Sequence, residues 1–116
     1  MKSRILVCGG RNYWDRAAFD AAMECAQKWF AQRFCIIEGD ATGADTLAKE
    51  WARKRGVPVI TMCANWTIFG DQAGSLRNIW MQEFAMPDLV IAFPGGIGTA
   101  SMVDIATENG VDVWKL

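Results

Sequence analysis

Three glycines, Gly95, Gly96 and Gly98, followed by Thr99, stand directly behind the short apolar run Leu89–Phe93 and the strand-ending Pro94. Glycine lets a ligand come close to the main chain. A helix opening at Thr99 would add unpaired N–H groups and a partial positive charge. Together these form a cradle for an anion, most naturally a phosphate; the same residues would also suit a tight strand-to-helix turn that binds nothing. A second group of chemistry-bearing residues, Gly9, Gly10 and Arg11, follows the apolar run Arg4–Cys8. There a guanidinium could pair with a phosphate or carboxylate, or simply be solvated. A third group is Gly39, Asp40, Thr42, Gly43 and Asp45, where one carboxylate could accept from ribose hydroxyls while the other supports its loop. Arg77 and Asn78, near the start of a helical stretch, could reach the same anion. Trp66 lies in a long loop and could stack on a base.

Histidine is absent. That removes the commonest general base and metal ligand, along with Ser-His and Cys-His nucleophile systems. Any chemistry here falls to carboxylates, arginines, backbone amides or a bound cation, and the sequence identifies neither a resident metal nor a cofactor. The catalytic residues, if any, are not identified.

The elements that must position these groups alternate. Strands are expected at Arg4–Cys8, Phe34–Ile37, Val57–Thr61, Leu89–Phe93 and Val111–Trp114, with Pro58 suggesting a sheet edge for the third. Helices are expected over residues 16–32, capped by Asp15, over 43–55, ended by Gly56, over 76–84, capped by Ser75, and over 99–108. Phe19, Met23, Ala26 and Phe30 recur as a buried stripe on the first helix; Leu47 and Trp51 share a face of the second; Leu76, Trp80 and Phe84 follow helical spacing on the third. Residues 62–74 read as a long loop. Strands alternating with helices imply right-handed crossovers and a mostly parallel sheet of about five strands with helices on both faces. In such a sheet ligands bind beyond the C-terminal strand ends, where all three glycine-containing loops fall.

The chain has 116 residues, 52% of them hydrophobic and 22% charged, with a net charge of -1. This fits one folded domain over residues 1–116 and gives no general electrostatic pull toward nucleic acid or membrane. The short apolar run after Met1–Arg4 does not read as a signal peptide, and no stretch is long enough to span a bilayer, so a cytoplasmic protein is expected. Cys8, Cys25, Cys35 and Cys63 are widely spaced and sit in or beside apolar runs, which favours buried free thiols over disulfides or metal.

Taken in order, Cys8-Gly9-Gly10-Arg11, then Glu38-Gly39-Asp40-Ala41-Thr42-Gly43-Ala44-Asp45, then Ala73-Gly74 with Arg77-Asn78, then Phe93-Pro94-Gly95-Gly96-Ile97-Gly98-Thr99 resemble the SLOG superfamily, in its YspA-like, YpsA-related branch. The resemblance covers almost the whole chain. It implies a single Rossmann-like three-layer α/β domain, a nucleotide or nucleotide-sugar ligand across the glycine loops, and assembly into homo-oligomers. The content of aromatic and methionine side chains, including Trp80, Met81 and Phe84 on one helix, also suggests an oligomer. The superfamily includes the Lonely Guy phosphoribohydrolases and the DprA-type single-strand DNA proteins. Lonely Guy enzymes place a catalytic glutamate after their glycine motif; counting on from Pro94, Met102 occupies that position. A thioether cannot act as a base, and Asp104 lies about 200° further around a helix.

Three functions are therefore carried forward. The first is a binding module that senses or sequesters a nucleotide-derived small molecule, such as an ADP-ribose-like species, a cyclic nucleotide signal or a nucleotide sugar. The second is a hydrolase of an N-glycosidic or phosphoester bond using Asp40 or Asp45. The third is a single-strand nucleic-acid module, against which the acidic balance argues.

Overall fold

The computed structural model describes residues 3–30 and 33–116. In chain order the elements are β1 (Ser3–Cys8), α1 (Arg16–Trp29), β2 (Phe34–Glu38), α2 (Ala44–Arg55), β3 (Val59–Thr61), α3 (Trp66–Phe69), α4 (Ala73–Trp80), β4 (Leu89–Ala92), α5 (Ile97–Glu108) and β5 (Asp112–Lys115). A 3-10 turn, Gly70–Gln72, joins α3 to α4, and a π turn, Met81–Ala85, continues α4. The sheet is parallel throughout, in the order β3-β2-β1-β4-β5. β1 is central: Leu6 stands opposite Ile37 of β2 on one side and Val90 of β4 on the other. Strand order therefore reverses between β1 and β4, which opens a crevice beyond their C-terminal ends.

Side-chain alternation along β1 explains the two outer layers. Ile5 and Val7 point to one face, where Phe19, Met23, Leu47 and Trp51 of α1 and α2 cover them. Leu6 and Cys8 point to the other, covered by Met81 and Ala85 of the π turn and by Met102 and Ala106 of α5. A strand buried on both faces reads as a continuous apolar run, as this one does. Asp15 caps α1 by accepting from the N–H of Ala18 at 3.1 Å. Two surface ion pairs, Arg16–Glu50 and Arg55–Glu24, bridge α1 and α2 and, being solvated, contribute little to stability.

Several expectations need correcting. Residues 62–74 are not one loop. Asn65 accepts from the N–H of Ile68 and starts α3, a four-residue helix too short to show periodicity. α4 accordingly starts at Ala73, and Ser75 lies inside it rather than capping it. The stripe Leu76–Trp80–Phe84 is displaced: Ala73, Asn78, Met81 and Ala85 face inward, and Phe84 is exposed. The π turn shifts the helical phase there. Met81 consequently belongs to the core. α1 ends at Trp29, with residues 31 and 32 of its expected span outside the described residues. α5 starts at Ile97, two residues before Thr99, because Gly96 is its N-cap. Cys8 and Cys35 are buried, but Cys25 and Cys63 are exposed, on the outer side of α1 and in the loop after β3; all four thiols are free.

Candidate functional site

The crevice beyond β1 and β4 is a cleft of about 460 Å³. Gly9, Gly10 and Arg11 form one wall, Gly96, Ile97, Gly98 and Thr99 another, and Gly39, Ala41 and Asp45 a third. Arg77 and Asn78 of α4 close it, together with Ser75, Asp71 and Trp66. An adjoining cleft of about 330 Å³ shares Arg11, Gly39, Ala41, Trp66 and Arg77 and adds Asp40, Thr42, Cys63 and Ala64.

Backbone contacts hold the loops together. The N–H of Gly10 donates to the Pro94 carbonyl at 2.8 Å, and the Gly10 carbonyl accepts from the N–H of Ala44 at 3.2 Å. The start of α2 is thus closed by protein. The start of α5 is not: no side chain caps Gly96, so the first N–H groups of that helix are left to the cleft. A Cβ on Gly96 or Gly98 would meet nothing within 4 Å, so both present bare backbone to a ligand. Gly43 plays a different part. Its φ of +74° and its packing against the backbone of Gly10 and Arg11 exclude any side chain. Gly95 likewise packs against Thr99 and the Gly10 backbone and does not face the main cleft.

Arg77 and Asn78 span the cleft. Arg77 donates from Nη1 to the Gly39 carbonyl at 2.6 Å and from Nε to Asn78 Oδ1 at 3.0 Å; Asn78 Nδ2 donates to the Gly98 carbonyl at 3.1 Å. One chain of hydrogen bonds therefore joins the loop after β2 to the glycine loop after β4. Asn78 is buried, which a polar side chain tolerates here because both ends of its amide are partnered.

The two aspartates separate. Asp45 is buried, and its Oδ2 accepts from the N–H groups of Gly39 and Ala41 at 3.2 and 3.1 Å. It is the loop-supporting carboxylate. Burial raises its pKa to about 6, against the hydrogen bond from Ala41 and with a further push from Glu38. Asp40 is exposed, adopts φ +63°, and pairs with Lys49 while accepting from the Cys63 thiol at 3.2 Å. The hydrogen bond from Lys49, then that from Cys63, holds its carboxyl below the usual range. Thr42 faces the adjoining cleft and donates to the Arg11 carbonyl at 3.0 Å. Asp40 and Thr42 thus stand apart from the main cleft, and Gly43 lies beneath it.

Glu38 was not singled out as a site residue. It is fully buried at the end of β2, accepting from the Asp40 N–H at 2.7 Å and the Thr61 hydroxyl at 2.5 Å. Its signal was a carboxylate closing an otherwise apolar run. Cys8 also borders the cleft; burial, then the Asp45 charge, pushes its thiol up to about 12 and keeps it protonated. Met102 is buried in the core, and Asp104 faces a separate hollow near Lys115.

Asp45 makes stability depend on pH. Its folded pKa lies above the ordinary 3.8, so its favourable contribution is complete below about pH 4 and is lost as pH rises through about 6. Between those limits the wild type should lose about 3 kcal/mol more than Asp45→Asn, whose amide oxygen can still accept both N–H groups. Denaturant unfolding at pH 4, 5, 6 and 7 checks this; parallel profiles for the two proteins would remove Asp45 as the cause.

Comparison with known proteins agrees with this architecture. The profile of the YspA, cpYpsA-related SLOG family matches residues 3–69, which span β1 to α3 and include the loops after β1 and β2. The chain is also 33% identical over 117 aligned positions to the Gene 61 protein of Mycobacterium phage D29, covering 95% of this chain and 93% of that relative. With that match over more than half its length, the chain belongs to the YspA, cpYpsA-related SLOG family, and with it to a nucleotide-related ligand-binding or processing role.

Proposed function

We propose that this protein binds a nucleotide-derived small molecule in the cleft beyond β1 and β4, as a sensor or sequestering protein. The observation that carries this reading is the uncapped start of α5 beside the bare backbone of Gly96 and Gly98, with Arg11 and Arg77 on the facing walls. The amides of residues 96–99 hold a phosphate, since helix N–H groups and the local dipole favour an anion there. Gly9, Gly10 and Arg11 bracket a second phosphate or the ribose. Arg77, already fixed by Gly39 and Asn78, offers its remaining guanidinium donors without a large loss of rotamer freedom.

Native mass spectrometry of protein purified without added ligand, followed by denaturing release, tests the reading. An intact nucleotide-derived species in stoichiometric amount is expected, and steady conversion of that species on incubation would count against simple sequestration. The same spectra give the number of copies. A homo-oligomer is proposed because Ile68, Phe69, Ile79 and Phe84 stand exposed along the α3–α4 segment; a clean monomer at micromolar concentration would reject it.

One observation favours hydrolysis as a second reading. Asp45 borders the cleft, and its raised pKa suits a carboxylic acid that donates a proton near neutral pH. On that reading Asp45→Asn abolishes turnover while largely preserving binding, and unchanged turnover would exclude Asp45 from the chemistry. No membrane partner is invoked; no helix among the described residues is long and apolar enough to cross a bilayer.

A further inference from the structure

We propose that Trp66 is the stacking platform for the base of the bound nucleotide, with the base lying in the adjoining cleft between Trp66 and Asp40 while the phosphate occupies the start of α5. The inference rests on the nucleotide reading above and assigns the second cleft to the aromatic half of the ligand.

The indole is held yet left open. α3 presents it, and Asn65 fixes the first turn of that helix by accepting from Ile68 at 3.1 Å. Gly74 of α4 lets the ring pack closely: a Cβ there would crowd Cη2 of Trp66 at 3.3 Å. Even so, Trp66 is 49% exposed, whereas Trp51 is only 1% exposed in the core. The ring borders both clefts, so it stands where they meet. The Arg11 guanidinium already lies over it, 5.4 Å from its centroid, so the ring accepts a flat, polarised group against its surface. An aromatic base is a group of that kind, and stacking on tryptophan suits every base because each has a π face.

The second cleft is also lined by Asp40, an acceptor-only group once ionised. Its pairing with Lys49 keeps it charged, so it favours base edges bearing N–H donors. A sugar phosphate alone could occupy the main cleft without entering the second one, and would leave Asp40 without a contact. The ligand class that uses both clefts is a nucleotide with its base intact.

The test is calorimetric titration of AMP and of ribose 5-phosphate into the wild type, Trp66→Phe and Trp66→Ala, with thermal unfolding to confirm that each variant is folded. The wild type should prefer AMP. Trp66→Ala should weaken AMP by about tenfold or more while leaving ribose 5-phosphate unchanged, and Trp66→Phe should restore most of the AMP affinity. Equal losses for both ligands, or equal wild-type affinity for both, would overturn the stacking role while leaving the phosphate site standing. Binding of neither ligand by the folded wild type would overturn this assignment and the nucleotide reading together.

Discussion

Gly96→Val is expected to fold like the wild type and to bind a phosphate-bearing ligand at least about tenfold more weakly. The two effects separate because of where Gly96 sits. Its φ of -102° is open to any residue, and its Cβ would enter open space, so folding costs no more than a poorer helix cap, about 1 kcal/mol. That open space is where the ligand must approach the amides. A branched side chain there keeps the phosphate from the N–H groups, and a charge-assisted hydrogen bond lost is about 1.5–3 kcal/mol. Calorimetric titration with AMP or ADP-ribose, paired with thermal unfolding, checks both halves. Wild-type affinity in a folded Gly96→Val protein would place the phosphate elsewhere.

Gly43→Ala should act chiefly on the fold, destabilising it by about 3–5 kcal/mol. Gly43 combines φ +74° with ψ -123°, a region essentially closed to residues with a Cβ. The added methyl would also collide with the carbonyl of Gly10 and the backbone of Arg11, which cannot swing aside as a side chain could. Strain and overpacking each cost about 1–3 kcal/mol. A domain of this size has about 5–15 kcal/mol in all. Denaturant unfolding measures the loss; a shift below about 1 kcal/mol would show that the loops after β1 and β2 can part without penalty.

These two glycines mark how far the sequence could be read. Both stood out as candidate site residues, but nothing in a string of letters says which faces ligand and which faces backbone. Local signals served well where periodicity was long. The β-α alternation follows from apolar runs and helical stripes, the start of α1 from the capping Asp15, and the edge position of β3 from Pro58. They failed where an element was short or off-phase: α3 has four residues, and the π turn breaks the spacing that Leu76, Trp80 and Phe84 suggested. The site was legible as a set of loops at strand ends. Its inner connections were not, because the Arg77–Gly39 bond joins residues 38 apart and the Asn78–Gly98 bond residues 20 apart. The division of labour between Asp40 and Asp45 depended on burial, which their shared loop does not reveal.

The central place of β1 also bears on how the chain reaches this state. β1 precedes both of its partners in the chain, and its pairing with β2 closes a modest loop, Ile5 with Ile36. Its other edge pairs with β4, Ile5 with Leu89. Until that distant segment arrives, an apolar strand with one row of unpaired N–H and C=O groups is left open to any other chain. Non-local parallel pairing is slow, so this exposure lasts through most of folding. The yield of soluble protein should therefore be governed by the rate at which β4 docks, and overexpression at lower temperature, where intermolecular encounters and hydrophobic adhesion are both weaker, should recover more of it.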